Sequence, residues 1–294
     1  MHKEYDFCTL CPRRCNAKRN EQNAGFCGQK NKIVIGRADL HFWEEPCISG
    51  KNGSGTVFFS GCPLKCVYCQ NYALARGRVG HTVTNDELCN IYIELQKKGA
   101  HNINLVTAEH FAPDIVESVR KARGKGLNIP IVLNSSGYIS VETLKMLENT
   151  VDIYLVDFKY MDSILSKEYS NAEDYAVVAK EALREMVRQK AKPVYEGELL
   201  KSGVIVRHLC LPSHTRDSEN VLEYVYNTYK ENVILSIMSQ YTPMKQCENI
   251  ENLSRKLTKK EYDRVVDFCI DMGVENAFIQ GEEAASKSFI PEFM

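Results

Sequence analysis

The 294-residue chain has no charge excess, no long apolar run and no low-complexity tract, and each absence removes a class of function. Lys and Arg number 37 against 38 Asp and Glu, a formal net charge of −1. A protein held to nucleic acid mainly through phosphate contacts carries a basic excess, so nucleic acid is not an expected partner. No apolar stretch approaches the roughly 18 residues that a membrane span needs. The opening Met1-His2-Lys3-Glu4-Tyr5-Asp6 lacks the apolar core of a secretory signal. The expectation is a cytoplasmic protein with no membrane contact. Hydrophobic residues make up 44% and charged residues 26%, the composition of a chain that folds around a core.

What is present in excess is cysteine. Eight of the twelve fall in the first 69 residues, at positions 8, 11, 15, 27, 47, 62, 66 and 69, where an even spread puts about three. In a reducing compartment clustered thiols are metal ligands more often than disulfides.

From residue 51 onward, short apolar runs alternate with amphipathic segments. Strands are expected at 56–60, 103–107, 131–135, 153–157, 204–209, 233–239 and, as a short last one, 277–280. Thr84-Asn85-Asp86-Glu87 and Thr258-Lys259-Lys260-Glu261 are capping boxes that open helices. Leu88, Ile91, Tyr92 and Leu95 follow the first box at helical spacing, and Gly99 stops that helix. Strand–helix alternation of this kind calls for a parallel sheet with right-handed crossovers. The expected architecture is α/β: a partial (β/α)6 TIM-like barrel over 51–294, with a Cys-rich metal-binding extension over 1–50.

The first expected strand runs into Gly61-Cys62-Pro63-Leu64-Lys65-Cys66-Val67-Tyr68-Cys69-Gln70-Asn71. Its thiols are spaced C-x3-C-x2-C, so one loop wraps one small object. Three thiolates leave a structural zinc one ligand short, which a distant residue such as Cys47 would have to supply. Three thiolates on a [4Fe–4S] cubane instead leave one iron open for a small ligand. With Tyr68 before the last cysteine, this loop resembles the radical S-adenosylmethionine (SAM) superfamily. Together with the front cysteines and His41…Glu44-Glu45-Pro46, the chain resembles its pyruvate formate-lyase activating enzyme branch, of PflX type.

The resemblance implies that Cys62, Cys66 and Cys69 hold a [4Fe–4S] cluster and that SAM chelates the open iron. One electron then cleaves the sulfonium, and the 5′-deoxyadenosyl radical released abstracts a hydrogen. It implies a protein substrate, a glycyl radical enzyme, together with a low-potential electron donor and anaerobic operation. Site residues carry over at the strand ends. Tyr68 and Asn134 face the cofactor, and Asp157 and Lys159 stand where the family has Asp-x-Lys. Arg207 meets the SAM carboxylate, and Gln240 replaces a ribose-contacting histidine. The family's Gly-Gly-Glu-Pro is absent at Thr107-Ala108-Glu109-His110, so Thr107 or Glu109 must remake the contact to the SAM amino group.

Cys8, Cys11, Cys15 and Cys27 supply four thiols within twenty residues. They complete either a zinc site or an auxiliary Fe–S cluster, expected to stand apart from the strand-end rim. Residues 1–37 carry eight Lys and Arg against three Asp and Glu, a basic face able to receive an acidic electron donor. Cys269 is expected in the core, as are Phe42 and Trp43, and Cys89 is expected as a buried or half-buried thiol. Cys210 and Cys247 are open between packing and the site, with packing favoured for Cys210. Two other activities fit the motifs: a radical SAM enzyme acting on another peptide or small molecule, and a non-catalytic metal-binding interaction protein.

Overall fold

A computed structural model describes residues 2–280. In chain order its strands and helices are β1 (Ile33–His41), α1 (Pro46–Ser49), β2 (Ser54–Phe59), α2 (Tyr72–Ala75), β3 (His81–Val83), α3 (Asn85–Lys97), β4 (Ile103–Val106), α4 (Ala112–Gly124), β5 (Ile131–Ser135), α5 (Val141–Leu147), β6 (Ile153–Asp157), α6 (Ser163–Ser170), α7 (Tyr175–Gln189), β7 (Val194–Glu196), β8 (Leu199–Leu209), α8 (Thr215–Tyr229), β9 (Ile234–Met238), α9 (Lys259–Asp271) and β10 (Ala277–Ile279). The sheet order is β10-β9-β8-β6-β5-β4-β2-β1-β3. From β10 to β2 all neighbours are parallel. The seven expected strands are present, and the fold is a partial barrel.

Local chemistry sets the elements. The Thr84 hydroxyl accepts the Glu87 N–H at 3.2 Å while the Glu87 carboxylate accepts the Thr84 N–H at 2.8 Å, so α3 opens with two orphan donors satisfied. Leu88, Cys89, Tyr92 and Leu95 then bury one face. Thr258 and Glu261 repeat the device for α9, which buries Val265 and Cys269. Helix α6 is capped by Asp162, whose carboxylate accepts from Ile164 at 2.7 Å.

The two faces of the sheet bury different cores. Leu133, Tyr154, Val156, Val204 and Val206 point outward to the helices. The alternate residues Val132, Ile153, Leu155, Ile205 and Ile234 point inward and pack on Cys47 and Ile48, as the two-residue period of a strand requires. The short helix α1 therefore plugs the barrel at the strand starts. Cys47 lies at the opposite end from the loop after β2 and is not positioned to complete a metal site there.

The expected boundary at residue 50 cuts through a continuous sheet. β1 pairs antiparallel with β2 over Ile35↔Phe59 to His41↔Ser54, and β3 extends it. No alternation signal marked β1, because only its first residues are buried. The front segment also docks on the barrel. Arg19 is fully buried; it donates to Lys30 O at 2.6 and 2.9 Å and to His110 O at 2.7 Å, and lies 4.2 Å over the Tyr5 ring. The Tyr5 hydroxyl bonds Asp114 on α4.

Replacing Arg19 with Met should cost about 2–4 kcal/mol, since a buried carbonyl at His110 and a part-buried one at Lys30 lose their donor and Tyr5 its cation. Urea unfolding of the variant checks this; an unchanged midpoint would show that the front segment does not couple to the barrel. Acid should act through two histidines buried neutral. The Nε2 of His110 meets Ser60 O at 2.8 Å, and Nδ1 of His208 meets Phe158 O at 2.8 Å. Burial pushes them down from 6.5 to about 3 and about 4. Below pH 6.5 the unfolded chain binds protons that these two refuse. The two histidines should therefore cost stability as pH drops from 6.5 toward 4, by about 1.4 kcal/mol per pH unit for each group, while the buried Glu109 carboxyl, pushed up to about 7, opposes them by binding its proton in the fold. Replacing His208 with Gln should remove one of these contributions, and an unchanged pH slope of the urea midpoint in that variant would contradict it.

Candidate functional site

A cavity of about 500 Å³ opens at the C-terminal ends of the strands, the end at which parallel barrels carry their sites. Three groups of residues meet around it: the cysteine loop after β2, a polar layer inside the barrel, and two aromatic side chains at the mouth.

The loop begins at Gly61, whose φ is +84°. A Cβ there would lie 2.5 Å from Gln29 Cγ and 2.7 Å from Cys27 O, so glycine is needed both for the turn and for the close approach of the front segment. Cys62 and Cys66 are buried, Cys69 is half-buried, and all three line the cavity. Burial and the neighbouring Cys66 push the Cys69 thiol up to about 12, and the same causes, in the same order, raise Cys62. Cys62 Sγ accepts the Leu64 N–H at 3.4 Å, and Cys66 Sγ accepts the Ser170 hydroxyl at 3.1 Å. From Ser170 a chain of hydroxyls runs to Tyr160 at 2.9 Å and on to Tyr68 at 2.6 Å. The Tyr68 ring also meets Tyr169 and Tyr241 edge-on. Tyr160 and Ser170 carried no sequence signal, because they reach the loop only through the packing of α6.

Inside the barrel the strand ends converge on Arg207. Its Nε donates to Asp157 Oδ1 at 2.9 Å, Nη1 to Glu44 Oε2 at 3.0 Å, and Nη2 to Asn134 Oδ1 at 2.7 Å. Glu44 Oε1 accepts from Asn104 Nδ2 at 2.9 Å and Asn134 Nδ2 at 3.3 Å. Lys159 Nζ bonds Asp157 Oδ2 at 2.7 Å. Parallel register produces this meeting, with Asp157 opposite Arg207 and Arg207 opposite Ser236. Burial pushes the Asp157 carboxyl up, but Lys159 and Arg207 outweigh it and hold it below the usual carboxylate range. Burial lowers Lys159, yet Asp157 and the Cys66 thiol more than offset that and keep it charged. Gly137, at φ +78°, lets the turn after β5 pass Asp157 O, which a Cβ would approach to 2.3 Å.

Asn134, Asp157, Lys159 and Arg207 thus share one network, and all four line the cavity with Tyr68 and Gln240. Arg207 spends a donor from each of its three nitrogens within the protein. Glu44 and Asn104 were not anticipated as site residues. The adjacent acids in Trp43-Glu44-Glu45-Pro46 were the available signal, since two carboxylates placed between an aromatic and the first turn of a helix need a reason. Thr107 lines the cavity at φ +57°, a left-handed conformation strained for a β-branched residue. Glu109 lies behind Cys62, fully buried with both oxygens unpartnered, and burial pushes it up to about 7. Of these two candidates for the amino contact, only Thr107 borders the cavity. Phe42 and Trp43, expected in the core, are 49% and 63% exposed and line the mouth, because β1 ends at His41 before reaching the interior. Cys89, Cys210, Cys247 and Cys269 are buried.

None of the four front cysteines lines the cavity, but the segment that carries them is bonded to the cysteine loop. Arg13 donates to Pro63 O at 2.9 Å and Ser170 O at 3.1 Å, and Lys65 donates to Phe26 O, which ties the segment to the loop. A Cβ on Gly25 would touch the sulfurs of both Cys15 and Cys27 at 3.5 Å. Burial first, then Cys27, Cys8 and Cys15, raise the Cys11 thiol. Among the described residues no three His, Cys, Asp or Glu side chains close on a single metal ion. A four-iron cubane takes its thiolates at separated corners, and the buried soft donors of the Cys62–Cys69 loop fit that demand.

Residues 56–225, more than half of the chain, match the Radical SAM superfamily. An uncharacterized protein of Methanocaldococcus jannaschii, MJ0674, is 27% identical over 268 residues, 88% of this chain and 73% of that one. Two solved structures resemble the fold. A radical SAM methyltransferase from Sphaerobacter thermophilus has a TM-score of 0.53 at 13% identity, covering 77% of this chain and 66% of that one. Methylornithine synthase (PylB) has a TM-score of 0.51 at 16% identity, covering 74% and 60%. The chain therefore spans less than two thirds of the length of either structure.

Arg207→Ala should cost about 3–5 kcal/mol of stability, because Glu44 and Asp157 are then buried without their shared cation. Arg207→Lys should recover only part, since an ammonium cannot reach three acceptors in fork geometry. Urea unfolding of both variants tests this, and a near-neutral Arg207→Ala would mean that the network carries no stability.

Proposed function

Because this chain belongs to the Radical SAM superfamily, we propose that it is an activating enzyme of the pyruvate formate-lyase type, which abstracts hydrogen from a backbone glycine of a partner protein. The family implies a [4Fe–4S] cluster and SAM, which when bound supply one-electron cleavage of the sulfonium and a carbon-centred oxidant. Cys62, Cys66 and Cys69 would hold the cluster. The observation that carries the reading is that these thiols border the same cavity as a buried network of both signs, and SAM presents both signs. Asp157, Lys159 and Asn134 would orient SAM, with Arg207 fixing their positions. Tyr68 and its hydroxyl chain exclude water from behind the loop. The exposed Phe42 and Trp43 offer an apolar lip to an entering polypeptide.

Cys8, Cys11, Cys15 and Cys27 would take a second metal group, zinc or an auxiliary cluster. The basic front segment supports docking of an acidic, low-potential electron donor in a reducing cytoplasm.

Anaerobically reconstituted protein should cleave SAM to methionine and 5′-deoxyadenosine. Cys66→Ala should abolish both the cluster absorption and this cleavage. Asp157→Asn should keep the cluster spectrum and bind SAM about ten- to a hundred-fold more weakly. A glycine-centred EPR signal on a partner captured anaerobically supports the activating role. SAM cleavage whose radical is found on another peptide or small molecule overturns that role, and retained activity in Cys66→Ala overturns the site.

A further inference from the structure

On the outer side of the cysteine loop, cations gather with no anion among them. Phe26 is 37% exposed, and Arg13 Cζ and Lys65 Nζ each lie 4.7 Å from the centre of its ring. Lys65 itself stands between Cys62 and Cys66. Arg76 Nη2 donates to Lys65 O at 3.2 Å, and the Tyr72 ring carries Arg76 Cζ at 3.8 Å and Arg78 Cζ at 5.7 Å. These six residues are therefore contiguous; Arg78 is exposed, and Arg13, Lys65, Tyr72 and Arg76 are half-buried. The hydrogen bonds of the cations go to neutral carbonyls: Arg13 to Pro63, Ser170 and Asn171, Lys65 to Phe26, and Arg76 to Lys65. Asp174, which borders the Tyr138 ring as Arg13 does, takes the Tyr138 hydroxyl instead. Elsewhere in the front segment the exposed cations are paired, Arg14 with Glu142 and Lys32 with Glu21.

We propose that this patch is where an acidic one-electron carrier docks, with Phe26 at the centre of the contact and Arg13, Lys65, Arg76 and Arg78 around it. It rests on the reading above in taking the Cys62–Cys69 loop to hold a cluster that draws its electron from outside. Charge selects the partner, since four cations with no carboxylate among them attract an acidic surface and repel a basic one. Position selects the role, since a carrier seated on Lys65 lies against the loop that bears the three thiols. None of the six residues lines the cavity, so carrier and polypeptide substrate can be bound at once, on different sides of the loop. One electron passes from carrier to cluster, and in that step no bond forms and no proton moves.

Electron exchange is read in the outward direction, from the photoreduced cluster of anaerobically reconstituted protein to an oxidised plant-type [2Fe–2S] ferredoxin, an acidic carrier. Return of the oxidised cluster absorption gives the rate. With the wild-type chain the rate should fall steeply as salt is added. Lys65→Glu and Arg78→Glu should each slow it about tenfold or more at low salt and flatten its salt dependence. Lys32→Glu makes the same change of charge on a front-segment cation outside the patch and should keep the wild-type rate. Oxidised methyl viologen, a dication, should oxidise both patch variants at least as fast as wild type, which with their cluster absorption shows them folded and loaded. A salt-independent wild-type rate overturns the proposal, as do wild-type rates in both patch variants or an equal loss in Lys32→Glu. The wild-type salt dependence and the Lys32→Glu comparison decide the matter even where a patch variant does not fold. The exchange needs neither SAM nor turnover, so failure of wild-type SAM cleavage would remove the activating-enzyme reading without altering this result, whereas a wild-type chain that takes up no cluster removes both.

Discussion

A guanidinium buried inside a barrel must be neutralised and hydrogen-bonded in place, and the site is organised around meeting that demand for Arg207. Its three nitrogens reach Asp157 from β6, Asn134 from β5 and Glu44 from the segment before α1. Glu44 in turn draws in Asn104 from β4. Four strands and one irregular segment are tied together by groups that are costly to leave unpaired. The aliphatic layer below, from Val132 to Ile234 around Cys47 and Ile48, keeps water out of the strand starts. The electrostatic bonds above it therefore act in a medium that weakens them little.

The consequence is a cavity with a graded wall. Its apolar floor gives way to a polar layer and then to the sulfur-bearing loop. Lys159 connects the last two, being bonded to Asp157 and held charged in part by Cys66 and Cys69. Ser170, Tyr160 and Tyr68 fix the loop from behind. The front segment fixes it from the side through Arg13 and Lys65, and Gly61 is the point of closest approach between the two. A soft-metal site therefore sits between two rigid supports, as a positioned reactive centre requires.

The chain by itself determined the parts whose signal is local. C-x3-C-x2-C after an apolar run announced one loop around one object. Two capping boxes located α3 and α9, and strand–helix alternation gave the parallel barrel. Asp157 and Lys159, two apart at a strand end, sat on one face by periodicity alone. Tertiary structure decided what depends on register and on distant packing. Asp157 meets Arg207 only because β6 and β8 pair in that register, and Glu44 enters the network only because β1 joins the sheet and α1 plugs its base. Cys47 was removed from the metal question, and Phe42 and Trp43 were moved from core to mouth, by where β1 stops.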